Sequence, residues 1–185
     1  PELIGEISLE GSVLWNLEQA AFKLDKQVSE LNVVALDRER HFELFKEINN
    51  AGAKLHLMPD GDISAALWAA DPSGPYDLLL GIGAAPEGVI TATAIQGIGG
   101  VFEGRLQFKD SEEEARALKM IDGDLHKVWR SKELCSSQDS LFVATGVCTG
   151  YLPGVEKSLE GIKTTSQIID VYNRETKLIT NLHPQ

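Results

Sequence analysis

Three short apolar runs, each followed at once by a stretch of helical periodicity, constrain this chain more than any other feature. Leu31-Asn32-Val33-Val34-Ala35-Leu36 is short and β-branched, as suits a strand buried on both faces. Asp37-Arg38-Glu39-Arg40-His41 follows it. Phe42, Phe45, Ile48 and Ala51 then recur at helical spacing, with Gly52 at the C′ position. Lys54–Met58 is the next strand, and Asp60-Gly61-Asp62 is a tight turn with Asp62 the expected N-cap of a helix over Ile63–Ala70. Asp71–Pro75 is loop. Asp77–Gly81 is the third strand. Gly83–Gly88 leads into a helix reaching Ile98, with Pro86 in the first turn, where a missing N–H costs nothing, and Gly99-Gly100 closing it. Strand–helix units at this spacing predict an α/β fold: a parallel or mixed sheet flanked by helices and joined by right-handed crossovers.

The flanks are less regular. Glu6–Glu10 alternates and reads as a short strand, and Ser12 caps a helix carried by Val13, Leu14, Leu17, Ala20, Ala21 and Leu24. Asp25 is the expected cap of a further turn through Val28. Val101–Phe108 reads as a strand, and Ser111-x-x-Glu114 as a capping box opening a helix to about Ile121. Lys127–Arg130 and Ser140–Ala144 are strand candidates. Thr164–Tyr172 and Thr176–Leu182 alternate around Asn173-Arg174-Glu175 as a hairpin. With no internal repeat, residues 1–185 are read as a single α/β domain.

Composition excludes several function classes. Seventeen basic against 28 acidic residues leave a net charge of −11, which argues against nucleic acid as a partner. A small phosphorylated ligand needs only a local cluster of cations, so it stays open. Apolar runs are far too short to span a membrane, and no signal peptide is visible. Cys135 and Cys148 make no disulfide framework, which implies a reducing, cytoplasmic setting. The chain starts Pro1-Glu2-Leu3 without methionine, so processing or derivation from a longer protein is expected.

The residues that can carry chemistry follow the strands. In open parallel sheets, ligands sit beyond the strands' C-terminal ends. Arg38, Arg40, Asp60, Asp62 and Glu87 are therefore expected on one sheet edge, although they span about 50 residues of sequence. Arg38 and Arg40 are either a solvated helical turn or a bidentate phosphate grip, with His41 assisting or packing. Asp60 and Asp62 are a capped turn, or they bind metal or sugar hydroxyls. The loop Gly81–Gly88 lacks the third glycine of a dinucleotide fingerprint. It is either a tight structural turn or a set of backbone N–H groups offered to an anion. Glu87 suits the helix dipole, and equally a metal. Together the rim points to a phosphorylated, hydroxylated small molecule and a hard divalent cation. The histidines, cysteines and tryptophans form no motif of their own.

The ordered series Leu36-Asp37-Arg38-Glu39-Arg40-His41, Ala51-Gly52-Ala53, Asp60-Gly61-Asp62-Ile63-Ser64-Ala65-Ala66, Gly81-Ile82-Gly83-Ala84-Ala85-Pro86-Glu87-Gly88 and Gly99-Gly100-x-x-x-Gly104-Arg105-Leu106 resembles the class II fructose-1,6-bisphosphatases. The nearest type is the cyanobacterial one, which also acts on sedoheptulose-1,7-bisphosphate. Ala144–Gly150 and Thr164-Thr165-Ser166 agree with it. The resemblance implies the layered fold of metal-dependent sugar phosphatases and hydrolysis of the 1-phosphate with Mn²⁺ or Mg²⁺. It makes Glu87 a metal ligand, Arg38 and Arg40 the phosphate grip, and Asp60 and Asp62 partners of the sugar hydroxyls. Glu39 departs from the family, which commonly has proline there, and the stretch Ser111–Asp122 looks shorter. The resemblance covers only the C-terminal half of the family. The half carrying most of its metal-binding acids and its catalytic threonine has no counterpart here, so this chain supplies no catalytic residue of its own. The implied partners are a sugar bisphosphate and either the N-terminal half or further copies of the chain. A half-length, non-catalytic sugar-phosphate-binding or assembly module is the alternative. The implied setting is cytoplasm, or plastid in a photosynthetic eukaryote.

Overall fold

The computed structural model describes residues 1–121, 123–137 and 139–184. The three strand–helix units form as expected. Strands β1 (Asn32–Leu36), β2 (Lys54–Met58) and β3 (Leu78–Leu79) make a parallel sheet in the order β2-β1-β3. Val33 pairs with Leu55 on one side and Leu78 on the other. Central β1 has Val33, Val34 and Ala35 fully buried, which is why it reads as a continuous apolar run.

Helix α1 (Val13–Lys23) precedes the sheet, capped by the Ser12 hydroxyl, which accepts from the Trp15 N–H at 3.1 Å. Helix α2 (Phe42–Ala51) joins β1 to β2 and ends at Gly52, whose φ of 87° is open to glycine. Helix α3 (Asp62–Ala70) returns from β2 to β3 across β1. Two right-handed crossovers running in opposite directions put α2 and α3 on opposite faces of the sheet. Leu17, Ala20 and Ile48 from α1 and α2 close a core with Leu31, Val33 and Leu78. On the other side α3 packs on β1 and on helix α4 (Ala85–Ile98).

Beyond α4 lies a second sheet. Strands β4 (Glu103–Gly104) and β5 (Trp129–Arg130) form a small antiparallel pair. Helices α5 (Ser111–Leu118) and α6 (Ser131–Leu134) flank β5 in sequence. Then β6 (Leu141–Thr145), β7 (Glu156–Ser158), β8 (Gly161–Asp170) and β9 (Glu175–His183) build a four-stranded antiparallel sheet around β8. Leu67 and Ala94 pack against its Phe142 and Ile169. The layers run α1/α2, parallel sheet, α3/α4, antiparallel sheet. Among the described residues no helix is long and apolar enough to cross a membrane.

Several expectations are corrected. Glu6–Glu10 forms turns, not a strand. Asp25 adopts a left-handed φ of 53°, and the turn after it, Val28–Glu30, is capped through Gln27. The N-cap of α3 is Gly61, at φ 92°, with Asp62 one position inside the helix. Asp110, not Ser111, caps α5, accepting from the N–H groups of Glu112 and Glu113, and the helix stops at Leu118. Asp122, at the end of the stretch that looked short, lies outside the described residues. Of Val101–Phe108 only Glu103–Gly104 finds a strand partner, and of Lys127–Arg130 only Trp129–Arg130.

The accessible surface is 11511 Å². A compact chain of 20.2 kDa exposes about 8,800 Å², so roughly 2,700 Å² is additional. The antiparallel sheet contributes to it. By register Leu141, Val143, Ile162, Ile168 and Ile179 share the face turned away from α4. Leu141 and Val143 are each about 60% exposed, at 61% and 60%. Every residue of edge strand β9 is exposed.

Candidate functional site

In the order β2-β1-β3 the chain leaves β1 toward one side and β3 toward the other, opening a crevice between the two loops. The β1 loop carries Arg38, Arg40 and His41, and the β3 loop carries Gly81-Ile82-Gly83. His41 is 1% exposed. Its Nδ1 lies 2.8 Å from the Leu36 carbonyl, and its Nε2 accepts from the Ile82 N–H at 2.8 Å. Arg40 Nε donates to the Ile82 carbonyl at 2.8 Å. Two side chains of the β1 loop thus hold the backbone of the β3 loop. Arg40 keeps its two terminal nitrogens outside this bond, the pair that grips a phosphate in fork geometry.

Arg38 extends toward the β2 loop instead. Its Nη2 stands 3.6 Å from Asp60 Oδ1, with 38% and 89% of the two side chains exposed. An ion pair that exposed is worth about 0–1 kcal/mol, little enough to be exchanged for a phosphate. Asp62 sits in the first turn of α3, and its Oδ1 accepts from the Ile63 N–H at 2.9 Å. Its Oδ2 lies so close to the β3 loop that a Cβ on Gly83 would be 3.1 Å away.

Helix α4 begins at the end of the same loop. Ala84 at its N-cap offers no side-chain acceptor, so the positive helix end is open. Glu87 occupies the first turn. Its Oε2 is buried and has no hydrogen-bond partner among the described residues. Asp62, Glu87, His41 and the Gly81–Gly83 loop line one wall of an open cleft of about 1290 Å³. Arg38, Arg40 and Asp60 do not line it. The expected rim therefore splits into an Arg38–Asp60 pair on the β1/β2 side and an Asp62, Gly83 and Glu87 group on the cleft side, with Arg40 bonded to Ile82 of the intervening loop. His41, expected either to assist or to pack, is buried and bonded at both ring nitrogens.

No group of three or more His, Cys, Asp or Glu able to hold a metal ion occurs among the described residues. Glu87, an acceptor buried without a partner, fits a cation or a donor arriving from outside, but as one ligand of a larger set.

A family model described as bacterial fructose-1,6-bisphosphatase, glpX-encoded, matches residues 1–183. The chain belongs to this family. The chain is 39% identical over 196 residues to the D-fructose 1,6-bisphosphatase class 2/sedoheptulose 1,7-bisphosphatase of Synechococcus sp. (strain JA-3-3Ab), covering 99% of itself and 56% of that relative. The protein of the same description from Thermosynechococcus vestitus is 35% identical over 199 residues, covering 99% and 57%. That of Trichodesmium erythraeum is 36% identical over 190 residues, covering 96% and 55%. The chain spans about half the length of the relatives it matches.

Proposed function

We propose that this chain is the C-terminal, substrate-binding half of a metal-dependent fructose-1,6-bisphosphatase that also accepts sedoheptulose-1,7-bisphosphate. The observation that supports the reading is the partnerless Glu87 oxygen beside Asp62 and Gly83 on the cleft, with Arg40 bonded to Ile82 of the same loop and the exposed Arg38–Asp60 pair on the neighbouring β1/β2 side. Arg38 and Arg40 bind a substrate phosphate, Arg38 by leaving Asp60 and Arg40 through its terminal nitrogens while Nε stays on Ile82. Asp60 and Asp62 accept hydrogen bonds from sugar hydroxyls. Glu87 contributes one carboxylate to a Mn²⁺ or Mg²⁺ ion whose other ligands come from the remaining half. Such an ion, when bound, neutralises phosphoryl charge. The residues of this chain bind and orient; they include no group that activates the attacking water.

The chain alone is therefore expected to bind fructose 1,6-bisphosphate in the presence of Mn²⁺ by calorimetry and to release no inorganic phosphate. Phosphate release by purified chain, free of full-length enzyme, would refute the division of labour. Failure of a folded chain to bind would refute the substrate reading.

A second reading is supported by the open face of the antiparallel sheet: a non-catalytic sugar-phosphate-binding or assembly module that docks on another polypeptide. Both readings predict binding. They separate on mixing with an N-terminal half of a relative, where only the first predicts that phosphate release appears.

A further inference from the structure

We infer that His41 is a positioning residue: a neutral imidazole protonated on Nδ1 that, together with Arg40, clamps the Ile82 backbone and so fixes both the Gly81–Gly83 loop and the orientation of the Arg40 guanidinium. The ligand part of this inference rests on the reading under Proposed function; the clamp itself does not.

The hydrogen bonds determine the tautomer. The Leu36 carbonyl can only accept, so the Nδ1 that stands 2.8 Å from it carries the proton. The Ile82 N–H can only donate, so the Nε2 that meets it at 2.8 Å is bare; the Ile82 carbonyl also lies 3.2 Å from this Nε2, but at 2.8 Å it is Arg40 Nε that donates to it. Arg40 Nε takes the Ile82 carbonyl at 2.8 Å. Both backbone polar groups of one loop residue are thus held by two consecutive residues of the neighbouring loop. The ring has no room to turn. It is 1% exposed, Phe45 meets its edge with ring centroids 6.0 Å apart, and a Cβ on Gly81 would lie 3.2 Å from its Cε1. Swapping the tautomer would set a donor against the Ile82 N–H, and would exchange the 2.8 Å bond to the Leu36 carbonyl for a 3.2 Å approach to an Ile82 carbonyl that Arg40 already holds. A histidine needed only to fill the core would have no reason to be specified at both nitrogens.

The clamp matters because Ile82 lies between the end of β3 and the start of α4. Whatever fixes Ile82 sets the loop that carries Gly83 past Asp62 and leads into Glu87. It also holds the Arg40 side chain by its Nε.

Two substitutions separate a clamp from a packing role. His41→Gln puts a carbonyl oxygen near the position of Nε2, an acceptor for Ile82. His41→Asn reaches only the position of Nδ1 and leaves the Ile82 N–H unpartnered. In the wild-type chain, nitrogen NMR is expected to report the neutral Nδ1–H form, and the Ile82 amide to be protected from hydrogen exchange. In His41→Asn the Ile82 amide should exchange about tenfold faster, and fructose 1,6-bisphosphate with Mn²⁺ should bind about tenfold more weakly; His41→Gln should restore most of both. The clamp is overturned by an Nε2–H tautomer, by unprotected Ile82 in the wild type, or by Asn and Gln variants that behave alike. If the wild type binds no bisphosphate, the substrate reading falls, while tautomer and Ile82 exchange still decide the clamp.

Discussion

Replacing Glu87 with methionine should make the metal-free chain more stable and the metal-loaded comparison less so. The argument starts from Glu87 Oε2, buried without a partner among the described residues at the first turn of α4. A buried acceptor left unsatisfied costs about 1–3 kcal/mol. Its charge recovers part of that from the helix end, about 0.3–1 kcal/mol. Desolvation wins, and a methionine of similar length removes both effects, for a net gain of about 1 kcal/mol. For a chain of this size that raises Tm by about 2–4 °C. With an N-terminal half present to supply the remaining ligands, manganese should reverse the order. At a hundredfold excess over its Kd, an ion that binds only the folded state adds about 2.7 kcal/mol, and the methionine variant loses that increment. Thermal melts by circular dichroism, with and without Mn²⁺, read both effects. A metal-free methionine variant less stable than wild type would refute the energetic argument. A full Mn²⁺-induced shift in that variant would refute the assignment of Glu87 as a ligand.

Two further outcomes rest on other parts of the fold. Gly97 in α4 faces β8 so closely that a Cβ there would stand 2.4 Å from Ile169 Cγ2, and Ile169 is fully buried. Alanine should gain about 1 kcal/mol of helix propensity but lose about 1–3 kcal/mol to overpacking, and Gly97→Val should lose more; urea unfolding checks this, and a stabilised alanine variant would show that the two layers are not in contact. Asp170 closes the β8–β9 turn. The Asn173 N–H, and after it the Asn173 side-chain amide, hold its carboxyl below the usual aspartate range. A lowered folded-state value means stability that is present above the unfolded value of about 3.9 and is lost as pH falls through the lower folded one. Asp170→Asn should abolish that acid-side dependence, and an Asp170 NMR titration midpoint at or above about 3.9 would contradict it.

The parallel sheet and its helices were legible because each element carries its own period: β1 as an apolar run, α2 through Phe42, Phe45 and Ile48, and the helix ends through Gly52 and Gly99, both at positive φ. What failed depends on partners far away in sequence. Glu156–Ser158 has no apolar alternation, and only pairing with β8 makes it a strand. Val101–Phe108 has strand composition, but only two of its residues meet a neighbour. The caps of α3 and α5 slipped by one because Gly61-Asp62 and Asp110-Ser111 each offer adjacent residues that can start a helix. At the site, the loops were legible and the contacts were not. Nothing in Arg38 or Asp60 alone says that parallel pairing of Leu36 with Met58 brings their loops together. Likewise the clamp on Ile82 needs β3 beside β1, a strand order that periodicity does not encode.

The exposed surface and the proposed chemistry point to the same requirement. An antiparallel sheet can leave one face in water when that face is polar. Here Leu141, Val143, Ile162, Ile168 and Ile179 share the open face with Thr145, Thr164 and Ser166. Beside it, β9 presents a nine-residue exposed edge, guarded only by the charges of Glu175 and Lys177 and by Pro184 beyond its end. The excess surface of roughly 2,700 Å² is about three times what one partner buries in a standard interface of about 800 Å². The relatives are nearly twice as long as this chain, so their additional length is of the size that could cover such a sheet. Under the proposed function an N-terminal half supplies the carboxylates that join Glu87 on the metal. One addition would then both bury the sheet and complete the site, and mixing with an N-terminal half should raise Tm and produce phosphate release together.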